Sequence, residues 1–95
     1  MSDTRNVLDW LRVMFRIPAT DTIMPHLVQR DAIGRAKYGK PLEAHNGRNA
    51  LQDLFEELLD AVMYAAQAYM ESGSPAHLAI LGECIMLAEK IRRTP

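Results

Sequence analysis

The sequence is first informative for what it lacks. A single cysteine, Cys84, rules out an intramolecular disulfide and is compatible with a reducing cytosol. No apolar run approaches the ~18 residues of a membrane span. The start, MSDTRNVLDW, has neither the basic region nor the apolar run of a secretory leader, so a cytoplasmic protein is expected. The formal net charge is only −1, which argues against a general binder of nucleic acid or anionic membrane. No stretch alternates apolar and polar residues between turns, so strands are not expected. Walker-type loops, Rossmann glycine patterns, zinc spacings and GxSxG are also missing.

What is present is helical. Ninety-five residues suffice for one domain with one modest core. Glycine and proline divide the chain into four segments. The first runs from about Asp3 to Arg16, with Val7, Leu8, Leu11, Met14 and Phe15 on one face, and Pro18 stops it. Trp10 widens that face and reads as core or interface. Asp21 or Thr22 is the candidate cap of a second helix that ends at Gly39. A third, long helix is expected from about Asn49 to Met70. Ser72-Gly73-Ser74 breaks it, and Ser74 with Pro75 opens a fourth helix that reaches about Arg92. Cys84 falls on an apolar face of that helix and reads as core; His77, at its start, reads as exposed. The expected fold is all-α, a four-helix bundle-like domain with a long central third helix. The apolar arc of the fourth helix is wider than one neighbour covers, and 48% apolar content with six Met is rich for so short a chain, so a homo-oligomer is expected.

The third helix carries the most unusual pattern. Asp53, Glu56, Glu57 and Asp60 are spaced i, i+3, i+4, i+7, which puts four carboxylates on one stripe. Like charges at this spacing repel by a few tenths of a kcal/mol per pair. Water, a basic neighbour or a cation can make the stripe tolerable. Helix two offers His26, Arg30 and Lys37 on one side, and Arg30 or Lys37 pairs with the acids if the two helices pack antiparallel. A hard divalent cation such as Mg²⁺ is the sharper alternative, because it takes oxygen ligands and holds nucleotide phosphates. Glu57 and Asp60 are the tightest pair, with Glu56 or Asp53 extending the site.

Just upstream, RAKYGKPLEAHNGR supplies Arg35, Lys37, Lys40, His45 and Arg48 within 14 positions. It precedes a helix N-terminus, where free backbone N–H groups favour anions. Tyr38 offers a face for base stacking, and Asn46-Gly47 is a turn. The bland reading of this segment is a solvated polar connector.

KYGKPLEAHNGRNALQD followed by EELLDAVMYAAQ resembles the small, often phage-encoded proteins related to the MazG-like all-α nucleotide pyrophosphatases, over roughly residues 28 to 70. The resemblance implies an oligomeric helical bundle in the host cytoplasm. It implies Mg²⁺ held by acids from two helices, and cleavage of a nucleoside triphosphate to a monophosphate and pyrophosphate. Glu57 and Asp60 match the family's Glu-x-x-Asp helix and are the implied catalytic and metal residues; Glu56 matches an acid often found beside it. The alternative alignment sets Glu56-Glu57-x-x-Asp60 against a Glu-Glu-x-x-Glu helix. The chain departs from the pattern in its second acidic helix: helix two has only Asp31, and Glu83 and Glu89 on helix four are spaced i, i+6. Either a second subunit supplies acids, or a nucleotide-binding scaffold remains that sequesters a nucleotide signal without cleaving it. A purely structural or protein-interaction bundle is the third expectation.

Overall fold

The computed structural model describes residues 5–95. Among them the structure is all-α, with four helices: α1 (Val7–Met14), α2 (Pro18–Tyr38), α3 (Ala50–Ser72) and α4 (Pro75–Arg92). There is no strand among the described residues, only an isolated antiparallel bridge between Asn6 and Glu43. The chain divides into two compact units, Met1–Arg48 and Asn49–Pro95.

In the first unit, α1 begins where Asn6 caps it: the Asn6 side chain accepts from the Asp9 N–H at 3.0 Å. The expected start at Asp3 lies outside the described residues. α1 ends at Met14, two residues before the expected Arg16, and Phe15 departs from helical geometry. α2 begins earlier than Asp21 or Thr22. Pro18 sits in its first turn, where the missing N–H costs nothing and φ is already helical. Thr20 then accepts from the Ile17 N–H at 3.4 Å. Asp21 instead meets Arg16, Nη2 to Oδ1 at 3.3 Å. Pro25 lies inside α2, at a position that normally breaks a helix. The C-terminal end is as the sequence reads: Gly39 adopts φ 78° and donates to the Arg35 carbonyl at 2.8 Å. The segment after Gly39 folds back on the start of α1. Val7 donates to the Leu42 carbonyl at 3.0 Å and Ala44 to the Arg5 carbonyl at 2.6 Å.

The second unit is a helical hairpin. Asn49 caps α3 by accepting from the Gln52 N–H at 3.1 Å, and Gly73, at φ 66°, closes it by donating to the Tyr69 carbonyl. Pro75 starts α4 one residue after Ser74. Ser74 does not cap through its side chain; its N–H donates to Ser72 Oγ at 3.1 Å. α3 and α4 run antiparallel: Leu51 and Phe55 near the start of α3 line the same cleft as Ile91 and Arg92 at the end of α4. The seam uses Leu58, Val62, Ala65 and Tyr69 on α3 with His77, Leu81, Cys84, Ala88 and Ile91 on α4, all buried or half-buried. The buried residues of the two helices are both alanines, Ala65 and Ala88, whose small side chains let the backbones approach. His77 is half-buried rather than exposed. Its Nδ1 lies 2.7 Å from Ser72 Oγ and 3.3 Å from the Ala68 carbonyl, so it ties the start of α4 to the end of α3. Trp10 is less covered than a core residue, 43% exposed and stacked on Phe15 at 6.4 Å.

Candidate functional site

The acidic stripe forms as its spacing requires. At about 100° per residue, Asp53, Glu56, Glu57 and Asp60 occupy an arc of about 100° on α3, on the far side from the α4 seam. α4 therefore does not cover it. Glu56, Glu57 and Asp60 are exposed and Asp53 is half-buried. Glu56 Oε1 accepts from Gln52 Nε2 at 3.4 Å, one turn back. Glu57 and Asp60 take no ion pair among the described residues.

The stripe has little counter-charge in its own unit. α3 contains no Lys or Arg at all. The bases of this unit are Lys90, Arg92 and Arg93, all at the end of α4. Two of them are engaged by Glu89: Arg92 forks onto it with Nε–Oε2 at 2.7 Å and Nη2–Oε1 at 2.6 Å, and Arg93 Nε lies 3.8 Å from Oε1. The Arg92 fork holds the Glu89 carboxyl below its ordinary range and raises the Arg92 guanidinium in turn.

The stripe is not a ready-made metal cage. Among the described residues no three His, Cys, Asp or Glu side chains gather closely enough to hold a metal ion. Mg²⁺ does not need such a cage: it keeps several waters and is commonly held by one or two carboxylates together with substrate phosphates. Two exposed carboxylates a turn apart, Glu57 and Asp60, suit that mode in the presence of a phosphate ligand.

The basic segment belongs to the first unit. Arg35 is already committed, its Nε donating to Asp31 Oδ2 at 2.7 Å. Lys37 Nζ lies over the Tyr38 ring, 5.2 Å from its centroid, and the ring is 69% exposed. That arrangement presents a cation and an aromatic face side by side. Arg30, Lys40, His45, Asn46 and Arg48 are all exposed. The turn is built by backbone handedness: His45 at φ 58° and Gly47 at φ 85°, with Asn46 Oδ1 accepting from the Arg48 N–H at 3.0 Å. The sequence pattern did not show the Asp31–Arg35 pair, although its i, i+4 spacing is legible, nor the tie of residues 42–44 to the start of α1. Compared with protein-family models, with curated proteins and with solved structures, the chain finds no match.

Proposed function

We propose that this chain is a Mg²⁺-dependent nucleotide pyrophosphohydrolase of the MazG-like type, acting on a nucleoside triphosphate to give the monophosphate and pyrophosphate. The observation that carries the reading is the exposed stripe of α3, whose Glu57 and Asp60 have no counter-ion among the described residues. Repulsion along such a stripe is relieved when a cation binds, so the stripe favours a ligand that brings positive charge. Glu57 and Asp60 hold the ion, with Glu56 and Asp53 extending the site. Bound there, Mg²⁺ supplies charge neutralisation for the phosphates and acidifies a water. In the hydrolysis, water adds to the α-phosphorus and the α–β bridging oxygen leaves with the pyrophosphate. Within the first unit, the basic segment with Arg30, Lys37, Lys40, His45 and Arg48 offers anion-binding charge of its own, and Tyr38 offers a stacking face for a base.

A second reading is supported by a separate observation. Lys37 over the exposed Tyr38 ring offers charge and a stacking face without any acid, so a chain that binds a nucleotide and sequesters it without turnover fits the same surfaces. In both readings the protein works as a homo-oligomer. Pyrophosphate release from a panel of nucleoside triphosphates at about millimolar Mg²⁺ decides between them. Turnover lost in Glu57→Gln supports hydrolysis. Thermal stabilisation by a nucleotide without turnover supports sequestration. Indifference of the melting temperature to every nucleotide and to Mg²⁺ overturns both.

A further inference from the structure

The α3–α4 hairpin leaves apolar side chains exposed on both of its broad sides, and one of the two carries the most exposed of them, Met63 and Met70. Because a right-handed helix turns clockwise as it recedes, residues +100° from the seam on α3 and on an antiparallel α4 fall on the same side of the hairpin. On α3 these are Leu59, Met63 and Met70; on α4 they are Leu78 and Ile85. All five are exposed, Met63 at 72% and Met70 at 83%, the others at 44–48%. Together they reach the upper end of the roughly 300–600 Å² that the largest apolar patch of a monomer shows.

We infer that this side packs against the same side of a second copy, giving a four-helix bundle of two hairpins related by a two-fold axis parallel to the helices. The choice of occupant rests on charge. Along the outer border of α3 run Glu56 and Asp60, followed by Gln67 and Glu71. Along the outer border of α4, Glu89 is followed by Arg93, with Arg92 beside them. The hairpin is antiparallel, so the acids at the start of α3 and the bases at the end of α4 lie at the same end; Phe55 and Arg92 line one cleft. A two-fold axis along the helices keeps that end together with its copy. It sets α3 of one chain antiparallel to α4 of the other and brings Glu56 level with Arg93 of the second copy. A two-fold axis across the helices would stack α3 antiparallel on α3, bringing Asp60 close to Asp60 of the second copy and leaving the bases at the end of α4 away from the acids. The opposite broad side of the hairpin, with Leu54, Ile80 and Leu87, is bordered by Glu57 on α3 and Glu83 on α4, so self-association there meets like charges. Every neighbouring pair in the inferred bundle is antiparallel, the usual arrangement for such bundles.

Sedimentation of the full chain tests this at about 10 µM, where an interface of standard size is expected to hold. The parent is expected to run as a dimer. Met63→Glu should run as a monomer with helix content retained by circular dichroism, because Met63 makes little contact within its own chain. Tyr64→Glu, one position on but off the apolar side, should stay dimeric. The axis is tested by pairing Leu59→Cys with Ile85→Cys in a background of Cys84→Ala. Oxidation should join the two chains across the interface and give a covalent dimer on a denaturing gel. Should Met63→Glu lose its helix content, Met63→Gln, a milder change of nearly the same shape, replaces it with the same expected weakening of the dimer. A parent that runs as a monomer overturns the inference. A Met63 variant that is folded and still dimeric overturns the choice of face. A dimer that fails to cross-link overturns the axis.

Discussion

At the scale of single residues, two carboxylates with opposite surroundings make opposite forecasts. Glu57 stands among like charges and has no ion pair among the described residues. Glu57→Gln keeps its shape and removes one charge, so it should raise the melting temperature of the metal-free protein slightly, by a few tenths of a kcal/mol per relieved pair. If the stripe holds Mg²⁺ with nucleotide, the same variant should lose the stabilisation that the two together give the parent. A Glu57→Gln protein less stable than its parent without metal would mean that the side chain is paired. Glu89 is the reverse case. The Arg92 fork lowers its pKa, so its contribution to stability is fully present above the unfolded carboxylate pKa and is lost as pH falls through the lower, folded value. As pH falls below about 5, Glu89→Gln should therefore show a flatter fall of melting temperature than the parent. Equal slopes in the two proteins would remove this pair from the acid response. The Glu89 pair was within reach of the sequence, since Glu89, Arg92 and Arg93 sit at i, i+3, i+4. The paired state of Arg35 was legible in the same way. What spacing alone did not reveal is which of several nearby partners each side chain takes.

At the scale of elements, boundaries marked by a local chemical device were legible, and those set by tertiary context were not. Asn49, Gly39, Gly73 and Pro75 each solve a backbone problem within one turn, and each stands where the sequence puts it, whereas Ser74 holds the N-cap position without capping through its side chain. The start of α2 carries no side-chain N-cap acceptor such as Asp21 or Thr22 would supply, because Pro18 has no N–H to satisfy. His77 was misread because a residue at a helix start is exposed in an isolated helix. In the hairpin its ring lies beside the end of α3 and finds Ser72 and Ala68. Gly73 offers a test of the hairpin turn. A Cβ at this position meets nothing within 4 Å, so space is not the constraint; the positive φ of 66° is. Gly73→Ala should cost about 1–2 kcal/mol through that backbone preference alone, while Gly73→Asn, which tolerates the left-handed region, should cost less. Urea unfolding of the two variants checks the order. An Ala variant as stable as the parent would show that the turn relaxes to another conformation.

At the scale of the whole molecule, the near-neutral formal charge conceals a division. The first unit, Met1–Arg48, carries eight Lys and Arg against five Asp and Glu; the second, Asn49–Pro95, carries three against seven. Net charge alone therefore hides a basic unit and an acidic one. The second unit also holds the whole of the inferred dimer side. Two hairpins packed in this way form a bundle of more than 90 residues with a shared core, which is large enough to fold without help. Arg48 is exposed, in the non-helical segment just before Asn49, and such segments are the preferred sites of nicking. Brief trypsin treatment should therefore cut after Arg48 before it cuts after Arg30, Arg35 or Lys37 inside α2, and should release Asn49–Pro95. That fragment should keep its helix content and sediment as a dimer. Early cleavage within α2 while Arg48 stays intact would contradict the boundary between the units. A fragment that unfolds on release would show that the hairpin depends on the first unit for its cover, and a folded monomeric fragment would show that the second copy is not what its apolar side is for.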